Sequence, residues 1–262
     1  ARVFEQMDQS MVIVFSQRKK ALGFMDDLKF YLPRRSDRIV FFPGYHIQPF
    51  KALNYHKETS TDRLAVLSRI LDSGSNPLII VTALDTVLQK VIPKKALNEF
   101  SELVMANEEA DRDLLVEKLE SGGYVKTSLV EDPGDYSVRG GILDVFSPGQ
   151  DLPVRIEFFG DLVESIRTFS PYTQRGVKEI FETILIPATE AIVEKKEQPH
   201  ILARLRQAGN RAGIAASRVR EYVNQVREMG RFPGLESMLP IVYETPEPFL
   251  DYLDPGTLLL LD

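Results

Sequence analysis

Several carboxylates fall close together in the middle of the chain, and they are the first residues that could do chemistry. They are Asp135, Asp144, Glu157 and Glu164. Two of them could act as a general acid and a general base if the fold brought them together. Acidic residues on strands lie more often on a solvated face than in an acid/base couple. We therefore predict a solvated face.

Asp262 closes the apolar run TLLLLD at residues 257–262, which has the form of a strand whose carboxylate could hold Mg²⁺. The phosphate-binding sequence G-x-x-x-x-G-K-[ST] that such a site requires does not occur in the 262 residues. The run therefore favours a buried parallel strand, and we expect no nucleotide, Mg²⁺ or other cofactor on this chain.

Other catalytic motifs are missing too. The sequence has no H-E-x-x-H, no G-x-S-x-G and no glycine-rich dinucleotide loop. It has no cysteine, and His46, His56 and His200 are too scattered to suggest a metal site. His56 could be a general base, but no nucleophile accompanies it. We predict a chain without catalytic residues.

The run VRIEFF at residues 154–159 presents a surface instead. The two-residue period of a strand sends Val154, Ile156 and Phe158 to one face, so Arg155, Glu157 and Phe159 share the other. Arginine beside an aromatic ring is typical of protein interfaces. In the alternative interpretation, a helix covers Phe159 and Arg155 pairs with Glu157 or Glu164.

The elements that position this surface fall into three regions. In residues 1–101, apolar strands at 11–15, 38–42 and 78–81 alternate with helices at 17–32, at 61–72 and from about 83. This pattern predicts an α/β domain with a parallel sheet, completed by a strand at 257–262.

Residues 102–191 follow a different pattern. A helix at 109–120 precedes strands at 124–130, 136–139, 142–146, 154–159, 162–169 and 180–186, with little helix between them. Gly160-Asp161 predicts a tight hairpin. We expect an inserted antiparallel α+β domain.

Residues 192–256 are predicted to form a small helical domain rich in arginine. Seven arginines and two glutamates give residues 200–231 a charge of +5 within a chain of net charge -6. The sequence predicts helix from about residue 198 to 228, and an apolar stripe runs along it, through Leu205, Ala208, Ala212, Ala215, Val219, Tyr222 and Val226. The arginines beside it could serve DNA, but a solvated flank is the simpler interpretation, so we predict only weak DNA binding.

Three motifs carry a resemblance to a known family. The runs YSVRGGILDVFSP at 136–148, LPVRIEFFGD at 152–161 and IRTF at 166–169 resemble the UvrB interaction module, which UvrB shares with the transcription-repair coupling factors. FFPGY at 41–45 and TDRL at 61–64 resemble the preceding domain of the same proteins. The resemblance implies a degenerate helicase-like architecture, similar to domain 1 of UvrB, for the α/β part.

UvrB carries an aromatic hairpin between its first sheet and the interaction module. The corresponding link at 82–97 is short and has no aromatic residue, so the coupling factors fit better. A fragment of a UvrB-type, ATP-dependent DNA-loading protein is the alternative.

The resemblance implies a non-catalytic adaptor that recruits UvrA, a nucleotide excision repair protein, to RNA polymerase stalled at a lesion. The UvrA-binding residues would be Arg139, Arg155 and Phe159. RNA polymerase and duplex DNA would be partners of the full-length protein, whose downstream motor would use ATP and Mg²⁺. No apolar run is long enough for a membrane helix, so we expect a cytoplasmic protein.

Overall fold

A computed structural model describes residues 2–7, 9–47, 49–50, 57–74 and 76–262. His56 lies outside the described residues. The helices are α1 (Arg2–Met7), α2 (Arg18–Tyr31), α3 (Lys57–Asp72), α4 (Leu84–Val87), α5 (Lys94–Glu99), α6 (Arg112–Ser121), α7 (Gln198–Arg211), α8 (Ala216–Met229) and α9 (Leu239–Val242). Short 3₁₀ helices cover Pro33–Arg38, Leu235–Met238 and Phe249–Tyr252.

The strands are β1 (Met11–Phe15), β2 (Ile39–Phe41), β3 (Ile79–Ala83), β4 (Lys90–Val91), β5 (Glu102–Met105), β6 (Val125–Lys126), β7 (Asp135–Arg139), β8 (Ile142–Val145), β9 (Val154–Phe159), β10 (Leu162–Phe169), β11 (Gly176–Ile180), β12 (Glu182–Leu185), β13 (Glu247–Pro248) and β14 (Leu258–Leu261). They form one sheet of four strands, one sheet of six, and two small ribbons that pair β12 with β5 and β13 with β4.

The four-stranded sheet is parallel and has the order β14-β1-β3-β2. All residues of its middle strands β1 and β3 are buried and all but Thr82 are apolar, as a parallel sheet covered by helices requires. The predicted α/β sheet and its completion by the 257–262 segment are confirmed. The prediction that this last strand is buried is wrong, because β14 is an edge strand on which Leu261 is largely exposed.

The six-stranded sheet is separate from the first and has the order β11-β10-β9-β8-β7-β6. Its neighbours from β7 to β11 are antiparallel, as predicted, whereas β6 runs parallel to β7. Helix α6 packs Leu115 and Leu119 against one face, which carries Ile156 and Ile166. The strand predicted at 180–186 is present as β12, but it pairs with β5 outside this sheet, and Ile180 is the last residue of β11.

The arginine-rich segment forms two helices that pack on each other. Gly213, with a φ of 68°, lies in the turn between α7 and α8. The single apolar stripe predicted along this segment is therefore divided: Leu205 and Val219 are buried between the helices, whereas Ala212 and Ala215 are exposed near the turn. The divisions at residues 101, 191 and 256 stay predictions. In the described part of the chain, no helix combines the length and apolarity needed to cross a membrane.

Candidate docking surface on the six-stranded sheet

The face of β9 opposite to α6 carries the candidate residues. Val154, Ile156 and Phe158 point into the core, whereas Arg155 and Glu157 are half-buried and Phe159 is 78% exposed. The predicted alternation is therefore confirmed. Because α6 packs on the other face, the expectation that a helix covers Phe159 is wrong.

Asp144 on β8 organises the two arginines. It lies directly opposite Arg155 in the register of β8 and β9, and its side chain is only 1% exposed. Arg155 donates to both carboxylate oxygens, from Nε to Oδ1 at 2.7 Å and from Nη2 to Oδ2 at 2.8 Å. Arg139 donates from Nη2 to Oδ2, also at 2.8 Å. One buried carboxylate thus holds two guanidinium groups.

This arrangement corrects two expectations. Asp135 and Asp144 are buried, so the solvated face predicted for the carboxylates does not include them. Arg155 pairs with Asp144 and not with Glu157 or Glu164. The register decided the pairing, because it brings Asp144 beside Arg155 from a different strand.

Arg155 is held from a second side by an aromatic ring. Its guanidinium carbon lies 4.8 Å from the ring centroid of Phe169, which is fully buried. The hydrogen bonds to Asp144 raise the pKa of Arg155 above its usual value, against the opposing effect of burial. The side chain is 18% exposed, so little of it is available to a partner.

Arg139 is the more accessible arginine, with 51% of its side chain exposed. It ends β7, just before the turn at Gly140-Gly141. Gly140 has a φ of 59°, and a Cβ on Gly141 would come within 2.7 Å of the carbonyl oxygen of Phe158. The turn therefore requires glycine at both positions, and it carries Arg139 to the same face as Arg155.

The sheet face that carries Arg139, Asp144, Arg155, Glu157 and Phe159 is termed the polar face, and a second ion pair lies on it. Arg167 on β10 donates from Nη2 to Glu157 Oε2 at 2.6 Å, and the Ser165 hydroxyl donates to the same oxygen at 2.7 Å. Glu157 is therefore engaged by β10, and its ion pair is with Arg167 rather than with Arg155. The polar face ends at Phe159 and the turn formed by Gly160-Asp161.

Residues 104–190 match the family model of the UvrB interaction domain. This stretch contains β6 to β12 and all the residues of the polar face. The chain contains a UvrB interaction domain.

Curated relatives extend the similarity along nearly the whole chain. The transcription-repair-coupling factor of Myxococcus xanthus is 32% identical over 248 residues, which cover 93% of this chain and 21% of the relative. That of Escherichia coli (strain K12) is 26% identical over 263 residues, 99% of this chain and 22% of the relative. That of Bacillus subtilis (strain 168) is 28% identical over 248 residues, 90% and 21%. The resemblance to transcription-repair coupling factors is thereby confirmed. The chain spans about a fifth of the length of these relatives.

The sequence predicted Arg139, Arg155 and Phe159 as docking residues within the UvrB interaction domain, but it did not predict Asp144 as the common partner of the two arginines. The pattern ILDV at 142–145 contained a usable signal, because an acidic residue within a short apolar strand requires a cation when it is buried.

The remaining candidates lie outside the interaction domain. Asp262 forms an exposed ion pair with Lys20 at 3.6 Å, and His46 lies 3.5 Å from Asp85 at the surface. Across residues 2–7, 9–47, 49–50, 57–74 and 76–262, no group of three or more histidine, aspartate or glutamate side chains is placed to hold a metal ion.

Proposed function

We propose that this chain is the part of a transcription-repair coupling factor that docks UvrA, and that it does so as a non-catalytic adaptor. The observation that carries the proposal is the exposure of Phe159 on the same sheet face as Arg139, within a UvrB interaction domain. An aromatic ring that is exposed on a sheet face leaves apolar surface in contact with water, which is unfavourable. A partner that covers the ring would remove this cost.

The composition of the face also supports a docking role. Aromatic residues and arginine contribute most of the binding energy in many interfaces. Ion pairs hold the arginines of this face in place, because Asp144 binds Arg139 and Arg155 and Glu157 binds Arg167. A surface already ordered before binding loses less conformational entropy when the partner arrives.

The names of the relatives support a wider role. Their name links them to transcription and repair, so we propose that the full-length protein brings UvrA to RNA polymerase stalled at a lesion on duplex DNA. A motor elsewhere in that protein would use ATP and Mg²⁺, and the parallel sheet of this chain would be a degenerate helicase-like domain. This role implies a cytoplasmic location. The alternative of a UvrB-type fragment has less support, because the curated relatives described above are coupling factors.

The test is the affinity of the chain for purified UvrA, measured by isothermal titration calorimetry. The variant combines Arg139→Ala, Arg155→Ala and Phe159→Ala. Its control combines Arg34→Ala, Arg211→Ala and Phe30→Ala, which removes the same side-chain types from exposed positions outside the interaction domain. We expect the first variant to lose UvrA binding and the control to keep it.

Arg155→Ala could also unfold the domain, because it leaves Asp144 with one partner. The double variant Arg139→Ala, Phe159→Ala avoids this, and circular dichroism checks that each variant is folded. Unchanged UvrA affinity in the folded double and triple variants would contradict the proposal.

A further inference from the structure

Asp144 binds the two arginines of the polar face, Arg139 and Arg155, to different extents. Arg155 uses two nitrogens on the carboxylate, stacks on Phe169 and is mostly buried. Arg139 uses one nitrogen and leaves half of its side chain in solvent. Arg155 is thus positioned to support the face, whereas Arg139 is accessible to a binding partner.

The charges of this group do not balance. Asp144 supplies one negative charge to two guanidinium groups, and Glu157, another acid on the face, forms its ion pair with Arg167. One positive charge therefore remains, and it lies on the more exposed guanidinium. A partner that desolvates Arg139 has to supply a compensating group, since a buried unpaired charge is costly.

We propose that Asp144 is the positioning residue of the docking surface, that Arg155 acts through it as a support, and that Arg139 contacts a carboxylate of UvrA. This inference rests on the proposed function. It assigns different roles to two arginines that the family resemblance treats alike, and it names the chemistry of the group opposite one of them.

The physical basis is orientation. A free arginine side chain samples many rotamers, and fixing it in one of them costs side-chain entropy. The bond to Asp144 restricts Arg139 before the partner arrives, and Asp144 is itself fixed by the two bonds from Arg155. Removing the negative charge of Asp144 would release the side chain of Arg139 from this orientation. The positive charge of Arg139 itself would be unchanged.

The decisive variant is Asp144→Asn, with Asp135→Asn as its matched control. Asp135 is also a buried carboxylate of the same sheet, but its cation is Lys57 on α3 and not a residue of the docking face. Both changes remove one buried negative charge from a cation. We expect Asp144→Asn to weaken UvrA binding about tenfold or more, and Asp135→Asn to leave it within about threefold.

A double-mutant cycle tests whether Asp144 acts through Arg139. In the Arg139→Ala background, Asp144→Asn should weaken UvrA binding by no more than about threefold, because the residue that it positions is gone. A full and additive loss in that background would overturn the positioning role. Normal UvrA binding by both Arg139→Ala and Phe159→Ala would instead contradict the proposed function itself.

Arg155→Lys covers the case in which Asp144→Asn does not fold. Lysine keeps a cation beside Asp144 but cannot form the bidentate hydrogen bonds that the guanidinium makes with the carboxylate. We expect UvrA affinity within about threefold of the unmodified chain. A loss of about tenfold or more would show that Arg155 contacts the partner directly, and would overturn its role as a support.

A charge exchange tests the partner's carboxylate. Arg139→Glu should abolish UvrA binding, and one acidic-to-lysine variant of UvrA should restore it by reversing the ion pair. If no such UvrA variant restores binding to Arg139→Glu, the assignment of a carboxylate opposite Arg139 is wrong.

Discussion

Arg63 on α3 and Glu190, the last residue of the matched interaction domain, form an ion pair in which both side chains are fully buried. Glu190 also accepts hydrogen bonds from the Tyr45 hydroxyl at 3.0 Å and from the Ile92 backbone N–H at 3.2 Å. The guanidinium of Arg63 lies over the rings of Phe42 and Tyr45. The interaction domain is therefore connected to the α/β unit by a buried ion pair at Glu190, where the chain leaves the interaction domain.

The first prediction concerns this pair. Glu190→Ala should lower the free energy of unfolding by about 3 to 5 kcal/mol, because it leaves the charge of Arg63 buried without its partner. Urea denaturation followed by circular dichroism measures the change. The control is Glu99→Ala, which breaks an exposed pair with Lys95 and should cost no more than about 0.5 kcal/mol. Similar losses in both variants would show that the Arg63–Glu190 pair is not a strong link.

The second prediction concerns pH and Glu236, which is buried beside Thr189. Burial raises the pKa of this carboxyl to about 7. Below its ordinary pKa, the carboxyl is protonated in both the folded and the unfolded chain, so it does not affect stability. Between about pH 4.5 and 7 the unfolded chain loses the proton while the folded chain keeps it, so this carboxyl destabilises the fold increasingly as pH rises.

Glu236→Gln should remove that dependence. We expect the variant to exceed the unmodified chain in free energy of unfolding by an amount on the order of 3 kcal/mol at pH 8, and by almost nothing at pH 4.5. Because other carboxylates also titrate, the measured quantity is the difference between the two proteins at each pH. A difference that is constant between pH 4.5 and 8 would contradict the prediction.

Much of the candidate docking surface could be predicted from the sequence because its main strand, β9, follows one local rule. The period of two along β9 placed Phe158 inside and Phe159 outside, and it depends on neighbouring residues alone. The burial of Asp144 could not be predicted in this way. The pairing of Asp144 with Arg155 depends on the register of β8 against β9, and that register is set by packing across the whole sheet.

The same limit explains the errors elsewhere in the fold. The apolar residues of β14 predicted a buried strand, but burial depends on the strand's place in the sheet, and β14 is at the edge. The run at 180–186 has the composition of one strand, yet Glu182 already pairs with Met105 of β5 in a different sheet. A local sequence pattern predicts the type of an element more reliably than it predicts which elements lie beside it.

The third prediction is that the chain does not bind ATP. No phosphate-binding loop is present in the sequence, and Asp262 is engaged at the surface by Lys20. A fluorescent ATP analogue with Mg²⁺ should show no saturable change in anisotropy. Saturable binding that Asp262→Ala abolishes would instead favour the UvrB-type alternative.

The fourth prediction concerns DNA and the helices α7 and α8. Arg206, Arg211 and Arg220 are exposed on them, but the whole chain is acidic, so we expect only weak, sequence-independent binding to duplex DNA. Replacing the three arginines with alanine should reduce the salt dependence of that binding, because fewer counterions are released. A dissociation constant far tighter than about 10⁻⁶ M at physiological salt would contradict this prediction.

The last prediction separates binding from folding at two adjacent residues. Phe159 is largely exposed, so Phe159→Ala should change the free energy of unfolding by less than about 1 kcal/mol. Phe158, its neighbour on β9, is only 9% exposed and belongs to the core under α6, so Phe158→Ala should cost about 3 to 5 kcal/mol. Urea denaturation of both variants checks this contrast.

UvrA binding should follow a different pattern. If Phe159 is a central contact, its removal should weaken UvrA binding by roughly 2 kcal/mol or more, which is a change of about 30-fold. Calorimetric titration of folded Phe159→Ala with UvrA measures it. A stability loss as large as that of Phe158→Ala would mean that Phe159 is buried in solution, and an unchanged UvrA affinity would mean that the docking site lies on another surface.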